Sequence, residues 1–238
     1  TASERALHAG DPTTYLTRLE SAVAGFAETG DARNACLQRA NIGNAYMQLG
    51  AYARAKSVLR EAISVGEPMK LSFIAPVRAN LGFALARLGD LDQALEIETA
   101  ALAQCVREGY HRFELASHVY LAVIHALRAE LASADAHVRA ALEASSSTPP
   151  IRAYALAIFA DLEMTRGAPE GAFTAASEAM SLLEALEGVE EGEALIRLVH
   201  AQALEAMGRV SEAHRRILEA RLRLMERADR ITDTRLRR

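Results

Sequence analysis

The chain has 238 residues, half of them hydrophobic, with a formal net charge of −4, only 5% aromatic residues and no Trp. That length and apolar content can bury a sizeable core, as one elongated domain or two compact ones. The acidic balance argues against a general nucleic-acid binder. No apolar run approaches the roughly 18 residues of a membrane span, and the first residues, TASERALHAGD, lack the basic and apolar regions of a secretion signal. A cytoplasmic protein is expected.

Alanine is abundant, Gly and Pro are sparse and spaced, and no alternating β-branched run appears, so the chain reads as all-α. Residues 12–28, PTTYLTRLESAVAGFAE, read as the second helix of an incomplete leading repeat, with Gly10 at its turn. From there the first helices of successive pairs are expected near 32–49, 70–88, 110–128, 150–166 and 190–207. Their partners are expected near 51–65, 91–108, 131–145, 169–187 and 210–230. Breakers separate the pairs: GEP at 66–68, EG at 108–109, SSSTPP at 145–150 and EGVEEGE at 187–193. The domain reading is a leading partial repeat over 1–30, an array over 31–230, and a tail over 231–238 that looks truncated. Cys36 and Cys105 lie in helical apolar patterns and read as reduced core thiols.

The array is defined by a repeat. Turn positions fall at Gly50, Gly89, Ala129, Gly167 and Gly208, spaced 39, 40, 38 and 41 residues apart. Five residues after each stands Ala55, Ala94, Ala134, Ala172 or Ala213, and twelve after each stands Ala62, Ala101, Ala141, Ala179 or Ala220. Seven before each stands Gly43, Gly82, Ala122, Ala160 or Ala201. Small side chains at fixed positions let paired helices approach closely, and a residue that tolerates the left-handed conformation ends the first helix of each pair.

Catalytic motifs are missing from the sequence: it has no GxGxxG, P-loop, GxSxG or HExxH string, so no enzyme and no cofactor are expected. His111, His118 and His125 share a helix face but are spaced by seven, about 10 Å per step, too far apart for one metal. They read as partly buried structural imidazoles. The acids Glu184, Glu187, Glu190, Glu191 and Glu193 read as a solvated helix end and loop, since a calcium loop needs regularly spaced oxygens. From Arg209 onward ten Arg face five acids, and the interleaved Glu212, Glu219, Glu226 and Asp229 make this a solvated amphipathic helix.

The strings ANIGNAYMQLGAYARAKSVLREAI and ANLGFALARLGDLDQALEIETAAL resemble the tetratricopeptide repeats (TPR). YLAVIHALRAELASADAHVRAAL, ALAIFADLEMTRGAPEGAFTAASEAM and HAQALEAMGRVSEAHRRILEA follow in register. The spacing is longer than the family's usual figure of about 34 residues. The resemblance covers about residues 31–225. It implies a right-handed α–α superhelix of about five helix-turn-helix repeats plus a leading helix, binding a protein or peptide along a concave surface lined by first helices. The family register puts Asn41, Asn44, Met47 and Gln48 on that surface, then Asn80, Phe83 and Arg87, then Tyr120 and Val123. Tyr154, Asp161 and Met164 follow, and last Gln202 and Glu205. Asn offers donor and acceptor to an extended backbone, and Tyr and Phe offer flat apolar contact. Asn44 and Asn80 also match two asparagines of the family's carboxylate clamp, but Ala40, Pro76 and Tyr120 replace its basic residues, which argues against binding chaperone tails.

EEGEALIRLVHAQALEAMG and RAYALAIFADLEMTRGAPEGA resemble the C-terminal helical regions of bacterial serine/threonine kinases of the myxobacterial kind. That resemblance implies a regulatory or docking module of a larger signalling protein, contacting other domains of the same polypeptide. Two other expectations stand beside it: the sensor of a ligand-gated transcriptional regulator, and a structural module whose exposed ends pair as a homodimer.

Overall fold

The computed structural model describes residues 12 to 189, 191 to 233 and 236. Gly10, assigned above to a turn, lies outside them, as does Glu190. The described residues form helices joined by short turns, with no strand among them.

Two compact units divide the chain. The first, Thr1–Tyr110 with Arg227–Arg238, holds α1 (Pro12–Glu28), α2 (Ala32–Gln48), α3 (Tyr52–Gly66), α4 (Ile74–Arg87) and α5 (Leu91–Glu108). Each packs on the next, and the first helices α2 and α4 also touch. The second, His111–Glu226, holds α6 (His111–Leu127), α7 (Leu131–Ala144), α8 (Pro149–Thr165), α9 (Pro169–Ala185), α10 (Glu193–Ala206) and most of α11 (Val210–Asp229). Here α6 touches α8, and α8 touches α10, so the pairing of neighbours and next-neighbours repeats.

All five turn positions are left-handed: Gly50 at φ 70°, Gly89 at 86°, Ala129 at 60°, Gly167 at 72° and Gly208 at 75°. One hydrogen-bond pattern recurs. The Gly50 N–H donates to Met47 O and the Ala51 N–H to Tyr46 O, both at 2.9 Å, and the other four turns repeat this pair of bonds. It satisfies carbonyls that the helix end would otherwise leave open. Ala129, exposed, bears the steric strain of a Cβ in this conformation, while glycine there costs only extra chain entropy. Ala129→Gly is therefore expected to stabilise the chain by about 0.5 to 1 kcal/mol in urea titrations. A loss of stability would contradict the left-handed turn.

The small residues are where the helices meet. Ala55, Ala62, Ala94, Ala101, Ala134, Ala141, Ala172 and Ala179 are fully buried, whereas Ala220 in α11 is only half-buried. A Cβ on Gly43 would lie 2.4 Å from Leu59 Cδ2, and one on Gly82 would lie 3.3 Å from the Glu98 backbone nitrogen. At those points the helix pairs approach to a distance that a methyl group would prevent. In the second unit the alanines merge with Leu156, Met180, Leu183, Ile196 and Val199 into one core. In the first, Leu16 and Leu19 of α1 pack with Ile42 and Ala45, and Leu236 of the tail joins them. The tail is pinned there by the Asp233 N–H, which donates to Thr13 Oγ1 at 3.1 Å.

Three helix limits differ from those read in the sequence, each for a local reason. α4 starts at Ile74 rather than near 70, because Lys70 is left-handed (φ 52°) and Leu71 N–H turns back to Gly66 O. α9 stops at Ala185 because Glu187 takes φ 56°. α10 waits until Glu193 because Gly192, at φ 84°, stands at its cap. In SSSTPP the two prolines open α8 instead of extending the loop, since the first helical turn needs no amide donors from them.

Candidate functional site

The expected binding residues fall into separate groups in the two units. In the first unit Asn41, Asn44 and Gln48 stand on α2 and Asn80, Phe83 and Arg87 on α4, two helices in contact. Asn41 donates its amide to Gln38 Oε1 at 3.2 Å. Phe83 is buried and meets the Tyr52 ring edge-on, with centroids 6.4 Å apart, and the Arg87 guanidinium lies 5.6 Å from the centre of the same Tyr52 ring. Phe83 and Arg87 thus enclose the first residue of α3. Asn44, Gln48 and Asn80 are half-buried and make no side-chain hydrogen bond among the described residues. Partly desolvated amides without a partner favour any ligand that offers a backbone N–H and C=O.

In the second unit Tyr120 stands on α6, Tyr154 and Asp161 on α8, and Gln202 on α10. Tyr120 is buried, and its hydroxyl donates to Glu191, lying 2.9 Å from Oε1 and 2.8 Å from Oε2. Tyr154 packs its ring on Gly192 so closely that a Cβ there would sit 2.3 Å from Cδ2. Glu191 and Gly192, between α9 and α10, therefore cover the two tyrosines. Asp161 is exposed, and the loss of water to the surrounding protein raises its pKa. Gln202 is exposed.

Glu191 and Glu193 depart from the solvated loop expected for the acidic run. Glu193 is buried and pairs with Arg197 of its own helix at 2.9 Å and with Arg223 of α11 at 3.6 Å.

His111, expected to be partly buried, is instead exposed and pairs with Glu114 at 3.2 Å, while the half-buried His118 and His125 gain a member that sequence reasoning missed. His137 of α7 places Nδ1 3.0 Å from Nδ1 of His118, and its ring stacks on His125 at 5.3 Å. His125 in turn binds Glu130 at 2.6 Å, and Arg128 holds the same carboxylate at 2.8 Å. Burial, followed by the neighbouring His118 and His125 charges, lowers the His137 pKa to about 4. Burial also lowers His118, against the pull of Glu114. A signal was present in the repeat: His137 stands three residues after the small Ala134, where Val58 and Ile97 stand in the two preceding repeats. Among the described residues, no set of three or more His, Cys, Asp or Glu is arranged to hold a metal ion. Cys36 and Cys105 are buried free thiols, and Cys36 donates to Ala62 O at 3.2 Å.

These features define an all-α solenoid of helix-turn-helix repeats, a fold in which first helices present side chains along a shared face. A tetratricopeptide repeat model matches residues 39–65, essentially the α2–α3 hairpin. Solved structures extend the likeness of fold. A chain of the APC/C hetero-tetramer Cut9-Hcn1 is 13% identical, with a TM-score of 0.69 over 90% of this chain; the match spans 38% of that chain. BtubC (BKLC) from P. vanneervenii is 16% identical, with a TM-score of 0.61 over 95% of this chain and 92% of its own. A putative kinesin light chain from Podosopora anserina, with nearly identical TPR-like repeats, is 16% identical, with a TM-score of 0.54 over 77% of this chain and 92% of its own. No curated protein sequence matches the chain.

Proposed function

We propose that this chain is a binding scaffold that captures an extended protein or peptide segment, and that it serves as a regulatory or docking module of a larger cytoplasmic bacterial signalling protein. The observation that carries the reading is the trio Asn44, Gln48 and Asn80, half-buried on the touching helices α2 and α4 with their amides unengaged among the described residues. A bound backbone would supply the missing donors and acceptors, while Asn41, Phe83 and Arg87 shape the surroundings. In the second unit Asp161 and Gln202 remain open to a ligand, and Tyr120 and Tyr154 would join them once the linker moves. Among the described residues no helix is long and apolar enough to cross a membrane.

Selection of random peptides against the chain tests this. Enriched peptides should bind at least tenfold more weakly to the Asn44→Ala/Asn80→Ala variant, with its melting temperature unchanged, since each lost hydrogen bond is worth about 1 kcal/mol. Enrichment of no peptide, or equal binding by the variant, would refute the assignment.

A second reading rests on α11, where Ile217, Leu218, Leu222, Leu224 and Met225 are all exposed. Such a stripe suits pairing with a second copy, and light scattering across a concentration series would reveal a homodimer.

A further inference from the structure

We propose that the face of α6 and α8 bearing Tyr120 and Tyr154 is a binding site for an acidic, glycine-containing extended segment, and that Val189, Glu191 and Gly192 of the chain's own α9–α10 linker are its resident occupants. This extends the scaffold reading to the second unit, where an external ligand must displace an internal one.

Three contacts seat the linker, and each recognises a different chemical feature. The Tyr120 hydroxyl selects a carboxylate, since it donates to Glu191 with both oxygens within 2.9 Å. A phenol and an ionised acid form a charge-assisted hydrogen bond, stronger than a neutral pair. The Tyr154 ring selects a glycine beside that acid: Gly192 is left-handed, and a Cβ on it would lie 2.3 Å from Cδ2 and 2.7 Å from Cγ. An apolar anchor comes from Val189, which is 3% exposed and part of the same core as Leu156 and Ile196. The pattern read by this face is an apolar residue, an acid two positions later, then glycine.

The linker is held as a ligand is held. Its partner on α6 lies 71 residues away in sequence. Glu187 at φ 56°, Gly188 at 135° and Gly192 at 84° are all left-handed, and the non-glycine Glu187 stores strain that release would relieve. A competitor with the same pattern and no strain would replace it and uncover Tyr120.

The test uses a labelled peptide with the linker's own sequence, LEGVEEGEAL (residues 186–195), added to the whole chain. Gly192→Ala forces a methyl group into the Tyr154 ring and should evict the linker. That variant should bind the peptide at least tenfold more tightly than the unmodified chain does in fluorescence anisotropy. Tyr120→Phe added to Gly192→Ala should reverse the gain, as should Gln in place of the peptide's second consecutive Glu. Glu191→Ala provides an independent eviction should Gly192→Ala disturb the start of α10, and hydrogen exchange over 187–193 should rise in both. Equal binding by the unmodified chain and both variants, or binding by none of them while their helical content is intact, would overturn the proposal. Asn44→Ala/Asn80→Ala should leave this binding unchanged, so the two sites stand or fall separately.

Discussion

Lowering the pH from 6.5 to 4 will cost the folded chain about 2 to 3 kcal/mol through His137 alone, and His137→Gln will remove most of that loss. In the unfolded chain His137 binds a proton near its ordinary value of 6.5, whereas in the fold it stays neutral until about 4. Between those values the unfolded state holds more protons, so stability falls as pH falls; above 6.5 the contribution is fully present. The cause is geometric: a half-buried imidazole lies between His118 and His125, and a positive charge there would lose water and meet its neighbours. Asp31, Glu130 and Asp135, whose pKa values are lowered by hydrogen bonds, also lose stability on acidification, but they do so in both proteins. Urea titrations of each protein at pH 7.5, 6, 5 and 4 isolate the difference. Parallel profiles would show that His137 is not held neutral.

The largest packing effect is expected at the α2–α3 contact. Leu59 is fully buried, and Leu59→Ala should cost about 2 to 5 kcal/mol through lost burial and the cavity left behind. Gly43→Ala should cost about 1 to 3 kcal/mol, because its methyl group would lie 2.4 Å from Leu59 Cδ2, which outweighs the roughly 1 kcal/mol that alanine gains over glycine within a helix. Together the two changes should cost at least about 1 kcal/mol less than their sum, since the methyl group enters the space that Leu59 vacates. Strict additivity in a double-mutant cycle would mean that the two helices do not meet there.

The parts of the structure legible in the sequence are those enforced by backbone sterics. A residue that must turn left-handed, or a side chain that must be small, leaves a mark wherever the geometry recurs. Even Ala129 is readable, because its place in the period outweighs its identity. Glu98 and His137 are marked by the same period, although their polar character disguises it. Glu98 stands four residues after Ala94, in the position of Leu59 and Val138, and is as fully buried as they are. What the sequence does not reveal are contacts made once. Nothing in an acidic, glycine-rich loop distinguishes a solvated Glu191 from one aimed at Tyr120, and neither the division into two units nor the placement of Leu236 follows from the period. The amides of Asn44 and Asn80 can be assigned to a helix face, but their half-buried, unengaged state depends on neighbours that only the fold supplies.

The contact of Thr13 with Asp233 bears on how the chain is made. Translation delivers α1 before the second unit, and the segment that completes its apolar cluster emerges only after all of His111–Glu226 has been synthesised. Leu16 and Leu19 therefore lack one neighbour for most of the ribosome's passage, and the first unit reaches its final state after the second has had time to fold. A nascent chain arrested near residue 220 should thus be cut by protease within α1 more readily than the released protein.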